Sequence, residues 1–390
     1  YFISMKKIII ITNKKKATGG ANIAATRLAT ILKKNYKITI LTIDKKSLIG
    51  KLKYNIARII IKIFIGKTNF LNSLNIFTRI NLRDIKTDLI HINWIGEETL
   101  SIKDIERFDK PIIWTFHDMW PATSTEHFLD NQQKTGYFKK DTHNNLIKNI
   151  IFDNKKKMFN KNINIITNSK WLEKFCRKSD LTKNSNIKTI YNPIETQNWF
   201  RENENYSKKK LNLNNKKKYI LYGAHGGFRN YRKGGDLFIE AINKLSNLDK
   251  EFEVIVLGGN QTKVEKINNI NFNFRKLELN TQIQRLYHSS SALTISSSRA
   301  ESLPQFIIET ILCKNPVVAF NVGGISEIVS DRFNGYLAKC YDTNDFAKGI
   351  VYCIKDIKKN DLLKSRNIIQ EMFNQKKILN EYNNFIHKII

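Results

Sequence analysis

Several things are scarce or missing in this chain of 390 residues, and each absence closes off an account of it. Cysteine occurs four times, at Cys176, Cys313, Cys340 and Cys353. Nothing pairs them at metal-ligand or disulfide-framework spacing, so reduced thiols in a cytosolic protein are expected. No run of eighteen uncharged apolar residues occurs, which argues against a membrane-spanning helix. Ile8–Ile11 is too short for the apolar region of a secretory signal. Met5-Lys6-Lys7 reads as a natural start, making Tyr1–Ser4 an upstream extension. Acidic residues are outnumbered, 35 Asp and Glu against 66 Lys and Arg, for a net charge of +31. Free use of Lys, Asn and Ile, as an AT-rich genome would produce, is one source of that excess; selection for anionic partners is the other. No recognition-helix, RNP or zinc-finger pattern accompanies the charge and the lysines are dispersed, so nucleic acid is not expected as a partner.

What is present is an alternation of apolar strands and amphipathic helices, which implies an α/β fold with parallel sheets. The first half gives strands at Lys7–Thr12, Lys37–Ile43, Leu89–Asn93, Ile112–Phe116 and Asn164–Thr167, with helices at Ala21–Lys33 and Ser169–Ser179. Asn192-Pro193 marks a hinge. A second unit follows, with strands at Lys218–Tyr222, Glu253–Leu257, Leu293–Ile295 and Val317–Phe320 and helices at Gly235–Leu245 and Gln282–His288. Helices at Asn344–Lys355 and Asp361–Ile390 end the chain. The expected domains are 5–192 and 193–370, two Rossmann-like domains facing across a cleft, with 371–390 crossing back to the first. The length allows each a sizeable core.

The most informative stretch is Glu301-Ser302-Leu303-Pro304-Gln305-Phe306-Ile307-Ile308-Glu309. It follows the apolar run Ala292–Ser298, so the order is strand, loop, helix. Pro304 suits the first turn, where a missing N–H costs nothing. A helix start offers unpaired N–H groups and the positive dipole end to a phosphate. Glu301 lies on the loop beside that site and Glu309 within the helix, two carboxylates suited to accept bonds from hydroxyls. Two solvated glutamates would be the bland account of an isolated pair.

The context resembles the donor site of the retaining glycosyltransferases of family 4, the glycosyl transferases group 1. The shared pattern is Glu301, seven residues, Glu309, the strand Pro316-Val317-Val318-Ala319, and the loop Gly323-Gly324-Ile325-Ser326-Glu327. Trp114–Pro121, with His117-Asp118-Met119-Trp120, resembles a branch of that family building bacterial surface polysaccharides such as capsule and lipopolysaccharide. Arg232-Lys233-Gly234-Gly235 resembles its basic element, and Gly19-Gly20 its N-domain glycine loop. The resemblance covers most of Met5–Asp345 and implies the GT-B fold.

That resemblance implies a retaining, metal-independent glycosyltransferase moving a sugar from a nucleotide sugar to a lipid-linked surface glycan. His117 would face the donor sugar, Lys233 would neutralise the diphosphate and leaving group, and Glu301 would bind the sugar hydroxyls; these three are the catalytic candidates. A cation there lowers the barrier by stabilising charge that builds as the bond breaks. Glu309 would hold the ribose. The backbone of Leu303, Pro304 and Gln305 would meet the phosphates, and Leu277 would lie near the base, with Gly19 and Gly20 bordering the donor. Many members have an arginine after the strand glycine where this chain has Gly223-Ala224, so Arg229 or Arg232 would supply the second cation. No Asp-x-Asp pair follows an apolar strand, so neither a bridging metal nor any other cofactor is expected. The loop Pro121–Lys140 lacks the cysteines usual in that branch, and His127, within it, is expected at the surface. A nucleotide-sugar epimerase or a phosphorylase of the same fold is the alternative enzyme.

Residues 47–67 stand apart. Leu48, Ile49, Leu52, Ile56, Ile59, Ile60, Ile63 and Phe64 fall at helical spacing, interleaved with Lys51, Lys53, Arg58, Lys62 and Lys67. Such a helix could lie on an anionic membrane surface, giving a cytoplasmic protein peripheral on the inner face of the membrane. It could equally pack into the core with its lysines snorkelling.

Overall fold

The computed structural model describes residues 5–14, 19–44, 46–82, 85–129, 145–223, 226–245, 248–259 and 261–390. The chain divides into two compact units, Tyr1–Ile194 with Gln375–Ile390, and Glu195–Asn374.

The first unit runs β1 (Lys7–Ile11), α1 (Gly20–Leu32), β2 (Lys37–Leu41), α2 (Leu48–Ile60), β3 (Leu89–Ile92), α3 (Ile102–Arg107), β4 (Ile112–Phe116), α4 (Leu146–Phe159), β5 (Ile163–Thr167), α5 (Lys170–Cys176) and β6 (Ile187–Thr189). Its strands lie in the order β2-β1-β3-β4-β5-β6, all parallel. A parallel sheet is covered on both faces, which is why β4 reads Ile-Ile-Trp-Thr-Phe without alternation and is buried throughout. The strand order reverses between β1 and β3. In open α/β sheets the crevice at such a reversal, beyond the carboxyl ends of the strands, is where ligands bind.

The second unit runs α6 (Glu204–Lys210), β7 (Lys218–Gly223), α7 (Gly235–Ile242), α8 (Leu248–Glu251), β8 (Phe252–Gly259), β9 (Lys263–Ile267), β10 (Ile270–Lys276), α9 (Thr281–Ser290), β11 (Leu293–Ser296), α10 (Gln305–Leu312), β12 (Val317–Phe320), β13 (Gly335–Ala338), α11 (Thr343–Lys355) and α12 (Lys359–Met372). Its order is β13-β12-β11-β7-β8-β10-β9, with only β9 antiparallel, and the reversal falls between β7 and β11. The β9–β10 hairpin turns through Asn268-Asn269, both at positive φ, the conformation a two-residue type I′ loop requires.

The single terminal helix expected over Asp361–Ile390 is two. It breaks at Phe373-Asn374, where the Phe373 ring is buried, and the chain returns to the first unit as α13 (Gln375–Ile386). There Ile378, Tyr382, Phe385 and Ile386 join Ile8, Ile10, Leu28, Leu32, Leu89 and Ile113 in one apolar core.

Residues 48–65 form α2 and a π-helical turn, Ile61–Ile65. The small residues Gly50 and Ala57 face the protein. The large ones face outward, Leu48 at 78%, Ile49 at 69% and Ile63 at 67% exposure. Core packing therefore does not account for this stripe.

Candidate active site

The reversal point of the second unit brings together the loop after β7 and the loop after β11. Lys233 closes a 3-10 turn, Tyr231–Lys233, and Gly234 follows at φ +64. A Cβ on Gly234 would lie 2.0 Å from the Ser297 carbonyl oxygen, so only glycine lets the two loops touch. The contact is then stitched along its length. Arg299 donates from its guanidinium to the Tyr231 carbonyl (2.9 Å) and from its backbone to the Arg232 carbonyl (2.8 Å). Tyr222 donates its hydroxyl to the Lys233 carbonyl, and Ser297 to that of Gly234 (2.6 Å). The Arg299 guanidinium also grips Asp236 and lies 4.2 Å over the Tyr231 ring.

Glu301 sits where these loops meet. Its Oε1 accepts from Lys233 Nζ (2.5 Å) and Ser298 Oγ (3.0 Å), and lies 2.8 Å from Arg232 Nη1, an ion pair whose guanidinium donates to the Ala300 carbonyl (3.0 Å). Burial by itself would raise this carboxyl, but Arg232 and Lys233 outweigh it and hold it at about 2. Burial, then the neighbouring Arg232, push the Lys233 ammonium below the ordinary lysine value, with Glu301 opposing. Among the described residues the second ion pair to Glu301 comes from Arg232; Arg229 stands exposed on the preceding turn. The expected arginine position after Gly223, residue 224, lies outside the described residues.

Pro304 caps α10 and its carbonyl accepts the N–H of Ile307 (3.1 Å); the N–H groups of Gln305 and Phe306 stand at the open start of the helix. Leu303 is buried beside it. One turn on, Glu309 is buried and accepts from Gln305 Nε2 (2.6 Å). The Gly323-Gly324 loop closes over this segment: Gly324 donates its N–H to the Ser302 carbonyl (2.8 Å). Gly323 has φ +59, and a Cβ there would fall 1.6 Å from the Glu301 carbonyl oxygen. Leu277, just past β10, is partly exposed and donates its N–H to the Gly259 carbonyl (3.1 Å). The second unit thus gathers two cations, two carboxylates and a helix start beyond the carboxyl ends of its central strands.

The first unit's reversal point carries different chemistry. Gly19, at φ +99, precedes α1, which Gly20 opens. Asn13 and Asn93 stand at the ends of β1 and β3, both fully buried. His117, beyond β4, is half-buried and its Nε2 lies 3.1 Å from Asn93 Oδ1. Burial pushes the imidazole down to about 4 against the pull of Asp118, so at neutral pH it is an uncharged hydrogen-bonding group.

Two family models match in tandem: Glycosyltransferase Family 4 over residues 18–198 and Glycosyl transferases group 1 over residues 203–370. Their boundary falls where the two units divide. The chain belongs to glycosyltransferase family 4. Among curated relatives, this family-4 chain is 23% identical to N-acetyl-alpha-D-glucosaminyl L-malate synthase of Bacillus anthracis, over 53% of its own length and 55% of that protein. It is 32% identical to poly(ribitol-phosphate) alpha-N-acetylglucosaminyltransferase of Staphylococcus aureus, over 24% of its own length and 20% of that protein. The alignments thus reach about half or less of these relatives. Among solved structures, sucrose-phosphate synthase from Thermosynechococcus elongatus aligns over 98% of both chains with TM-score 0.71 at 16% identity. Anabaena Alr3699/HepE in complex with UDP-glucose aligns over 98% of this chain and 100% of that one, with TM-score 0.64 at 16% identity. These likenesses show the GT-B fold.

Within the family-4 frame, one expectation is overturned. His127 is buried, not at the surface, because it is held from both sides: its Nδ1 lies 2.7 Å from Asp118 Oδ2 and its Nε2 2.9 Å from Ser73 Oγ. Burial would raise the Asp118 carboxyl, but His127 and the Trp120 N–H keep it below the ordinary range. Motif reading also missed Lys155. Its fully buried ammonium donates to the carbonyls of Trp120 (2.6 Å), Ser124 (2.9 Å) and Thr123 (3.2 Å) and lies 3.5 Å over the Trp120 ring. Together these residues fix the start of the loop that follows His117; residues 130–140 of the loop lie outside the described residues. Arg299 was missed as well, since it lies outside the Glu301–Glu309 pattern, and only the folded chain shows what it joins.

Proposed function

We propose that the protein is a retaining, metal-independent glycosyltransferase that moves a sugar from a nucleotide sugar to a lipid-linked surface-glycan acceptor. The observation that carries this reading is the convergence of Lys233, Arg232 and Glu301 beside the start of α10, with Glu309 buried one turn on. Lys233 and Arg232 supply the positive charge for the diphosphate, and the N–H groups of Gln305 and Phe306 at the start of α10 add to it. Glu309 accepts from the ribose hydroxyls and Glu301 from those of the donor sugar. Leu277 borders the base. His117, uncharged, donates or accepts at a sugar hydroxyl. Departure of the nucleotide diphosphate and attack of the acceptor hydroxyl on the same face of the sugar retain the anomeric configuration.

The reading extends to a peripheral position on an anionic membrane. The outward stripe of α2 and its π-helical turn is flanked by exposed Lys51, Arg58, Lys62 and Lys67, the composition that lies in a headgroup layer. Among the described residues no helix is long and apolar enough to cross a membrane. A thermal-shift screen of UDP-, GDP- and ADP-sugars tests the donor half, because a ligand of the folded state raises its melting point. No shift with any of them contradicts it. Co-sedimentation with vesicles tests the membrane half, where binding that survives removal of anionic lipid contradicts the electrostatic part.

A further inference from the structure

We propose that Glu301 acts as an internal competitor for the diphosphate position, so that binding of the nucleotide's phosphates becomes conditional on the sugar they carry. This rests on the donor-site reading above and deepens it.

A single oxygen, Glu301 Oε1, accepts from the ammonium of Lys233 (2.5 Å) and the hydroxyl of Ser298 (3.0 Å) and pairs at 2.8 Å with the guanidinium of Arg232, which also donates to the Ala300 carbonyl. A carboxylate oxygen and a phosphate oxygen accept the same charge-assisted bonds from the same cations. In the free protein, then, the carboxylate does what a phosphate would do. The Glu301 side chain is 9% exposed and that of Lys233 13%, so these are partners desolvated together rather than a surface pair.

An arriving diphosphate draws the cations away, leaving a buried carboxylate short of partners, which is costly. Sugar hydroxyls are donors and offset that cost by bonding to the released carboxylate. A free nucleoside diphosphate has no such hydroxyls at this place. It must leave Glu301 uncompensated or share the cations with it. Discrimination between donor and spent nucleotide is a difference of two affinities, and here it is set by a penalty against the wrong ligand. Glu301 is therefore a specificity-determining residue, which also favours release of the product.

Inorganic pyrophosphate is the probe, because it needs no base and carries no sugar. Calorimetric titration into Glu301→Gln should show pyrophosphate bound at least tenfold more tightly than by the wild type. Adding Lys233→Ala to that variant should remove the gain. Ser298→Ala keeps the charge and only loosens Glu301, so a gain of about twofold is expected there; it serves if Glu301→Gln fails to fold. Equal or weaker pyrophosphate binding in a folded Glu301→Gln, or in Ser298→Ala if that is the only folded variant, overturns the proposal. The nucleotide-sugar screen judges the donor-site reading separately.

Discussion

The two units place their candidate residues at the same topological point, the reversal of strand order, yet fill it with opposite chemistry. In the second unit two cations converge on a carboxylate that closely precedes a helix start. In the first, an uncharged His117 pairs with the buried amide of Asn93. On the function proposed above, one unit would take the multiply charged part of the donor and the other hydroxyl groups. The contrast also concerns how each is supported. Positions 231–236 and 297–301 stitch the second site with bonds between two short stretches. The first draws its support from three scattered segments instead, with Ser73, His127 and Lys155 all holding one loop.

The comparison makes ordered predictions. The largest effect belongs to the charged site: Lys233→Ala and Glu309→Ala should each remove turnover, a loss on the order of 10³-fold, without unfolding the protein. Full activity in either well-folded variant breaks the assignment. Next comes support of the neutral site. Lys155→Ala strips a buried donor from three carbonyls and should cost about 3 kcal/mol in urea unfolding; a change under about 0.5 kcal/mol would mean that solvent replaces it. Gly323→Ala should cost about 2 kcal/mol, through its left-handed φ and its contact with the Glu301 carbonyl, read as a drop in melting temperature. Acid should act on both sites, reaching His117 of the first unit at about 4 before the charged site. The Glu301 carboxyl is held at about 2, below its ordinary 4.5, so its ion pairs stabilise fully above that ordinary value and are lost as pH falls through about 2. Acid unfolding of Glu301→Gln should be correspondingly flatter. The smallest effect is none: EDTA should leave the rate unchanged, and a strict Mg²⁺ requirement would contradict the cationic account.

Much of the frame was legible in the sequence because parallel strands, buried on both faces, read as apolar runs bounded by turns. Ile112–Phe116 and Val317–Phe320 fall where the residues indicate. β9 escaped notice because it is an exposed edge strand rich in charge, although Asn268-Asn269 was a usable hairpin signal. The break at Phe373 was hidden because helical residues continue on both sides of it. The Glu301–Glu309 pattern was readable because its parts are consecutive in the chain. The pairing of Glu301 with Lys233 and Arg232 was not, since 68 residues separate Lys233 from Glu301 and a pattern carries no distance. His127 was misplaced for the same reason: its partners Ser73 and Asp118 come from different segments.

The central claim is that the second unit holds the donor through its diphosphate. It is tested most directly by titrating wild type and Lys233→Ala with the nucleotide sugar that gives the largest thermal shift. The account predicts that the variant, still folded, binds on the order of 10²-fold more weakly, the scale of a lost charge-assisted contact. Equal affinity in the two proteins would contradict it.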